Sequence, residues 1–194
     1  MQGTKKQSFF VIVIVVIVLG IASLVGVMVS RPPSATIGNA SSHTTPRIVR
    51  EDLSLAHNYK SLKELRTDST LIVQGTVNTQ AVSTADHGTV YTISTIRVEH
   101  AFMSKSVAPQ TVLVRQQGGV APDGTQWIVD DFPLLKIGSR YILYLTPSPY
   151  GAEFYPVGAP QGVFVVNANT SVSSFTPVGV QVKDVPLNTF AQEI

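Results

Sequence analysis

The sequence predicts a mainly β protein: a small antiparallel β-barrel with a short leading helix, preceded by one N-terminal transmembrane helix. Three observations predict it. An uncharged apolar run, FFVIVIVVIVLGIASLVGVMV, fills residues 9–29. A stretch rich in Ser, Thr, Pro and Gly follows it. Beyond that, about five to seven short alternating segments are separated by Gly- and Pro-containing turns, the pattern of a closed or nearly closed barrel.

At about 1.5 Å of helical rise per residue, residues 9–29 span roughly 31 Å, which matches a hydrocarbon core of ~30 Å. Val and Ile are mediocre helix formers in water, but in lipid the helix is enforced because backbone groups must be satisfied internally. A cleaved signal would carry a shorter apolar region followed closely by small residues at the cleavage site. The exit here, Met28-Val29-Ser30-Arg31-Pro32-Pro33, has none, and Gly38-Asn39-Ala40 lies well beyond the apolar end. An uncleaved anchor is therefore expected, with a secreted domain after signal cleavage as the alternative. Lys5 and Lys6 keep the tail, residues 1–8, in the cytoplasm. The chain beyond the anchor is then extracytoplasmic: a single-pass protein of the cell membrane.

Residues 30–49 are expected to form a flexible stalk, because their composition cannot bury enough apolar surface to offset the entropy of ordering. The extracytoplasmic domain is assigned to residues 50–194. Of the 14 basic residues in the chain, Lys5, Lys6 and Arg31 flank the apolar block, and the other 11 face all 12 acidic residues. The domain is thus nearly neutral and lacks the basic footprint of a phosphate-backbone binder, so no nucleic-acid partner is expected. There is no cysteine, which excludes disulfides, thiolate nucleophiles and Cys-based zinc sites.

The domain opens with a helix. Ser61-Leu62-Lys63-Glu64 has capping-box spacing, with Leu62 and Leu65 facing the core. From Thr70 to Val77, Leu71, Val73 and Val77 share one face with Gly75 between them. Residues 90–102 change phase partway: Tyr91 and Ile93 share one parity, and Ile96, Val98 and Phe102 the other. A bulge near Ser94-Thr95 would bring all of them to one face. Residues 111–115, 140–146, 153–157 and 162–166 read as further strands, punctuated by Gly118-Gly119, Pro122-Asp123-Gly124 and Pro147-Ser148-Pro149. The Ser/Thr/Val-rich stretch after Val166 either completes the barrel or covers its edge as an extended tail.

Several of these pieces together carry a resemblance. They are Ser61 to Leu65, Leu71-Ile72-Val73-Gln74-Gly75-Thr76-Val77, Tyr91-Thr92-Ile93 through Val98-Glu99, Val112 to Gly119, Pro133 to Leu145, and Pro156-Val157-Gly158 with Gln161-Gly162. They resemble a family of uncharacterised bacterial extracytoplasmic proteins. The strand order also looks like the oligosaccharide/oligonucleotide-binding (OB) barrel of netrin-like domains, the class that includes the tissue inhibitors of metalloproteinases. There too a strand ending in Gly-x-Val precedes a long second strand, and a Gly-x-x-Tyr segment opens a later one. The resemblance implies an OB-like fold and no particular chemistry. The inhibitors act through a disulfide-tethered N-terminal cysteine that this chain lacks.

No catalytic constellation stands out. His43, His57, His87 and His100 form no HxH or HExxH spacing. Asp86-His87-Gly88 places an acid beside a base, but such a triplet is the usual chemistry of a hairpin turn. Asp123, Asp130 and Asp131 cluster around Trp127 without the ligand spacing of a calcium loop, and they read as solvated loop acids. Gly118-Gly119 lacks the Lys and Ser/Thr of a phosphate loop. Trp127, Tyr144, Tyr150 and Tyr155 offer an aromatic face for sugar or peptide, or are core and rim residues. The expected function is a membrane-anchored interaction module, not an enzyme, with no metal or cofactor, whose partner is a surface protein or glycan. The alternatives are an envelope structural subunit, or a hydrolase or metal-dependent enzyme built on Asp86, His87 and Asp130-Asp131.

Overall fold

The computed structural model describes residues 46–84, 88–105 and 107–194. The expected anchor and most of the expected stalk lie outside the described residues. Among the described residues no helix is long and apolar enough to cross a membrane. The chain runs β1 (Ile48–Glu51), α1 (Leu62–Asp68), β2 (Leu71–Thr84), β3 (Val90–Ser104), β4 (Thr111–Gln117), β5 (Gly119–Val120) and β6 (Gln126–Val129). It continues through β7 (Arg140–Pro147), β8 (Phe154–Pro156), a 3-10 turn at Ala159–Gly162, β9 (Val163–Val166), β10 (Ser171–Ser174), β11 (Val185–Pro186) and α2 (Leu187–Gln192).

The fold is mainly β and contains a closed five-stranded barrel. Its strands follow the order β2-β3-β4-β8-β7, and β7 pairs back onto β2 to close the ring. The pairs are antiparallel except β4 with β8, which meet in parallel at Val114 and Phe154. Beyond the ring, β9, β10 and β11 continue the sheet from the edge of β7. A small second sheet, in the order β1-β6-β5, lies between β4 and β7 in sequence except for β1, which arrives from the N-terminal side. β1 begins at Ile48, within the stretch 30–49. An Ile-Val pair on a four-residue edge strand is too short a signal to stand out from a Ser/Thr-rich surround.

Helix α1 forms as its sequence requires. The Ser61 hydroxyl accepts from the Glu64 N–H at 3.2 Å, and the Glu64 carboxylate reaches back to the Lys60 N–H at 2.9 Å. Leu62 and Leu65 are buried. In β2, Leu71, Val73 and Val77 do share the face that lines the barrel interior.

The phase change of β3 resolves differently from the sequence expectation. Val90, Thr92, Ser94 and Ile96 are the buried set, whereas Tyr91 and Ile93 are only partly buried on the opposite parity. The ladder does break beside Thr95 and Ile96, but the extra residue is Asn78 of β2, not a residue of β3. Two polar side chains thus face inward with hydrogen-bond partners. The Thr92 hydroxyl donates to the Gly118 carbonyl at 2.8 Å, and the Ser94 hydroxyl accepts from Gln80 at 3.0 Å. Two more register shifts, at Ile72/Val73 and Gln74/Gly75, bend the ribbon where it curls into the barrel. Gly75 is required there: a Cβ would lie 2.6 Å from the Arg97 carbonyl oxygen.

Two cores result. The barrel interior holds Leu71, Val73, Val77, Ile96, Val112, Val114, Tyr141, Leu143 and Leu145. The outer core holds Tyr59, Leu62, Leu65, Ile72, Ile142, Tyr144, Phe164, Val172 and Phe190, roofed by α1, β9, β10 and α2. The C-terminal stretch therefore does not enter the ring; it covers the ring's outer face. Phe190 is fully buried against Phe164, with ring centroids 5.0 Å apart. Phe190→Ala should cost about 3–5 kcal/mol of unfolding free energy, as for other buried Phe truncations. A denaturant melt that moves by less than about 1 kcal/mol would mean a loosely attached tail.

Candidate functional site

Among the described residues, concave surfaces open at both ends of the β2–β3 ribbon and on the barrel flank. At one end, the start of β2 meets the end of β3: Leu71 pairs with Ser104, and Thr70 is fixed by its N–H on the Leu145 carbonyl at 2.8 Å. Lys105 is tied to the same point, its N–H donating to the Thr70 carbonyl at 3.2 Å. Around this seam open two clefts. One, of about 570 Å³, is lined mostly by apolar groups, among them Leu71, Val107, Pro109, Leu113, Pro147 and Phe154. The other, of about 540 Å³, is lined by Lys63, Arg66, Thr67, Ser69, Met103, Lys105 and Glu193. Lys105 belongs to both.

The apolar cleft is built by the two loops that leave β3 and β7. Val107 is 93% exposed and Tyr150, in the β7–β8 loop, 80%. Val107 lines this cleft, whereas Tyr150 is not among its lining residues. The second cleft is cationic. Lys63 and Arg66 lie one helical turn apart on α1 and so share a face. Among the described residues neither they nor Lys105 stand within ion-pair distance of a carboxylate; Arg66 donates instead to the backbone oxygen of Ile194.

At the other end, the chain arrives at Arg47 and Ile48. There a cleft of about 410 Å³ is lined by Arg47, Val49, Thr84, Gly88, Asp123, Thr125 and Trp127, among others. Trp127 also borders a smaller neighbouring cleft with Gln117, Phe132 and Pro133. A further cleft, formed by Gln74, His100, Phe102, Pro186, Leu187 and Asn188, lies on the barrel flank beside α2.

The residues singled out in sequence do not gather at one place. Tyr144 is a core residue, edge-on to Phe164; its hydroxyl is buried without a hydrogen-bond partner, and burial pushes its pKa up. Tyr155 sits in β8, partly buried. Trp127 and Tyr150 stand at opposite ends of the ribbon. Asp130 pairs with Arg50 at 2.8 Å. Asp123 accepts from the Thr125 backbone N–H at 2.9 Å and its hydroxyl at 3.0 Å, which hold its pKa below the usual value. Asp131 occupies a left-handed turn position with φ 60°. Asp86 and His87 lie outside the described residues, as does His43. His57 packs edge-on against Tyr59, and His100 against Phe102. Among the described residues no three His, Cys, Asp or Glu side chains approach closely enough to hold a metal ion.

Other perturbed groups have structural causes. Thr76 donates to Glu99 at 2.6 Å, and that bond does most to lower the Glu99 pKa. Gln74 and the nearby Arg140 and Arg97 add to it against the opposing effect of burial. The Tyr59 phenol is buried and donates to Asp68 at 2.7 Å. Burial first, and then that bond, push its pKa from 10.0 up to about 12. The sequence reading missed the two clefts at the Thr70–Lys105 seam. Only the spacing of Lys63 and Arg66 signalled them; Lys105 and the β7–β8 loop come close through strand pairing alone.

No protein-family model matches the chain, and no curated protein matches it either.

The Tyr59 phenol makes a pH prediction. Because its folded pKa is raised, its contribution to stability is complete below the unfolded value near 10 and is lost as pH climbs to about 12. Equilibrium melts between pH 9 and 12 should show a steeper loss for the wild type than for Tyr59→Phe. Parallel curves would remove the phenol from the linkage.

Proposed function

We propose that the chain is a membrane-anchored interaction module, with residues 9–29 as the anchor, residues 1–8 cytoplasmic and the barrel displayed outside the cell. The observation that carries this reading is the pair of adjoining clefts, one apolar and one cationic, at the Thr70–Lys105 seam. The chain reaches the domain through β1, beside Thr84 and Gly88, whereas the apolar and cationic clefts lie at the far end, beside Thr70 and Lys105. An apolar cleft adjoining a cationic one suits a surface that holds a binding partner.

The ring order supports an OB-like reading of the barrel. Numbered along the ring's own strands, it runs 1-2-3-5-4 with the fourth closing on the first and the third and fifth parallel. The likeness to netrin-like domains and to the bacterial extracytoplasmic family rests on the motifs already quoted, which fall on α1, β2, β3, β4, β7 and the stretch from the end of β8 through the 3-10 turn. Barrels of this kind bind ligands through loops and one strand face. A non-enzymatic role is favoured because Asp123 and Asp130 already have partners that account for them, Thr125 and Arg50.

The topology is tested by the intact mass of the protein in membranes washed at alkaline pH. Full-length mass in the pellet is the expected result. A product lacking roughly the first 30–40 residues, found in the soluble fraction, would mean a cleaved signal and a secreted domain.

A further inference from the structure

The two clefts at the Thr70–Lys105 seam form one bipartite surface. We infer that this surface docks an extended protein segment carrying carboxylates beside a large apolar side chain, seated across Lys105. The inference rests on the interaction-module reading and deepens it.

The apolar cleft has the volume of an ordinary ligand site, and Leu71, Leu113, Pro147 and Phe154 give it a wall without ionised groups. Burying an aromatic or branched side chain there would remove Val107 from water as well, at roughly 25 cal/mol per Å² of apolar area. The adjoining cleft supplies the orientation. It presents Lys63, Arg66 and Lys105 against a single acid, Glu193, on a domain whose overall charge is close to zero. Lys63 and Lys105 have no ion-pair partner among the described residues, and Arg66 donates to the Ile194 backbone oxygen; this local excess complements carboxylates and repels cationic segments. The backbone bond of Lys105 to Thr70 fixes the point where the two chemistries meet. The cations are spread over two elements, with Lys63 in the first turn of α1, Arg66 in its last turn and Lys105 just past the end of β3, and are not gathered at one point on the helix. Carboxylates spread along a peptide and met by separate side chains suit this arrangement.

The test pans a random twelve-residue peptide display library against the full chain in detergent micelles. Enriched peptides are then synthesised and titrated by fluorescence anisotropy. The expected consensus places Asp or Glu beside Phe, Leu or Trp. Kd should rise at least tenfold for Lys105→Glu and for Val107→Asp, recover with Lys105→Arg, and rise with salt between about 50 and 300 mM. Lys105 and Val107 are exposed, so both variants should melt like the wild type, and Ile137→Asp, at an exposed position in the loop before β7, should bind normally. Acid-free peptides that bind regardless of Lys105 would overturn this assignment and leave the interaction module standing. Self-association of the chain that Val107→Asp abolishes would give the cleft to a second copy and overturn it too. A library with no binder on any face would count against both readings.

Discussion

Along β7, the run Tyr141-Ile142-Leu143-Tyr144-Leu145 is buried on both faces and hydrogen-bonded on both edges. Tyr141, Leu143 and Leu145 point into the barrel, whereas Ile142 and Tyr144 point into the outer core. One edge pairs with β2; the other pairs with β9 along its first half and with β8 at its end. A strand so placed cannot slip by one residue without exchanging every side chain between the two cores. Its register therefore sets that of the ring and of the C-terminal layer. It also fixes the Thr70–Lys105 seam, because Thr70 hangs from the Leu145 carbonyl.

Two buried glutamines, Gln116 and Gln161, and the half-buried Gln80 hold the connections that the sheet does not. Gln116 in β4 accepts from the Leu135 N–H at 2.9 Å and donates to the Pro133 carbonyl at 3.2 Å. Gln80 donates to the Leu135 carbonyl at 2.7 Å. The segment leading into β7 thus meets two side-chain amides in place of a neighbouring strand. Gln161, in the 3-10 turn, plays the same part for the segment before α1. It accepts from the Tyr59 N–H and donates to the His57 carbonyl, each at 2.8 Å. An amide carries both donors and an acceptor, so one buried side chain satisfies two backbone groups that would otherwise be costly to desolvate.

The barrel strands were legible because each alternates or runs apolar over several residues between Gly and Pro turns, and α1 because its cap and its two leucines are local. Burial on both faces was not legible. A run such as Tyr141 to Leu145 is apolar throughout whether it meets one core or two, and only the remote Phe164 and Phe190 reveal the second. Thr92 and Ser94 hid the inward face of β3 because their partners, Gly118 and Gln80, are distant in sequence. β1, β5, β6, β10 and β11 are each two to four residues long, too short to carry a period. The clefts escaped for the same reason: Lys63 and Lys105 become neighbours only when β2 and β3 pair.

The outer layer belongs to the same cooperative unit as the barrel, with β7 as their shared wall. Native-state hydrogen exchange on the full chain tests this most directly. Amides of β2, β7 and β9 should exchange together at the slowest rate in the domain, through global unfolding. Amides of β9 to α2 exchanging orders of magnitude faster, while the ring stays protected, would show that the outer layer opens independently and contradict the account.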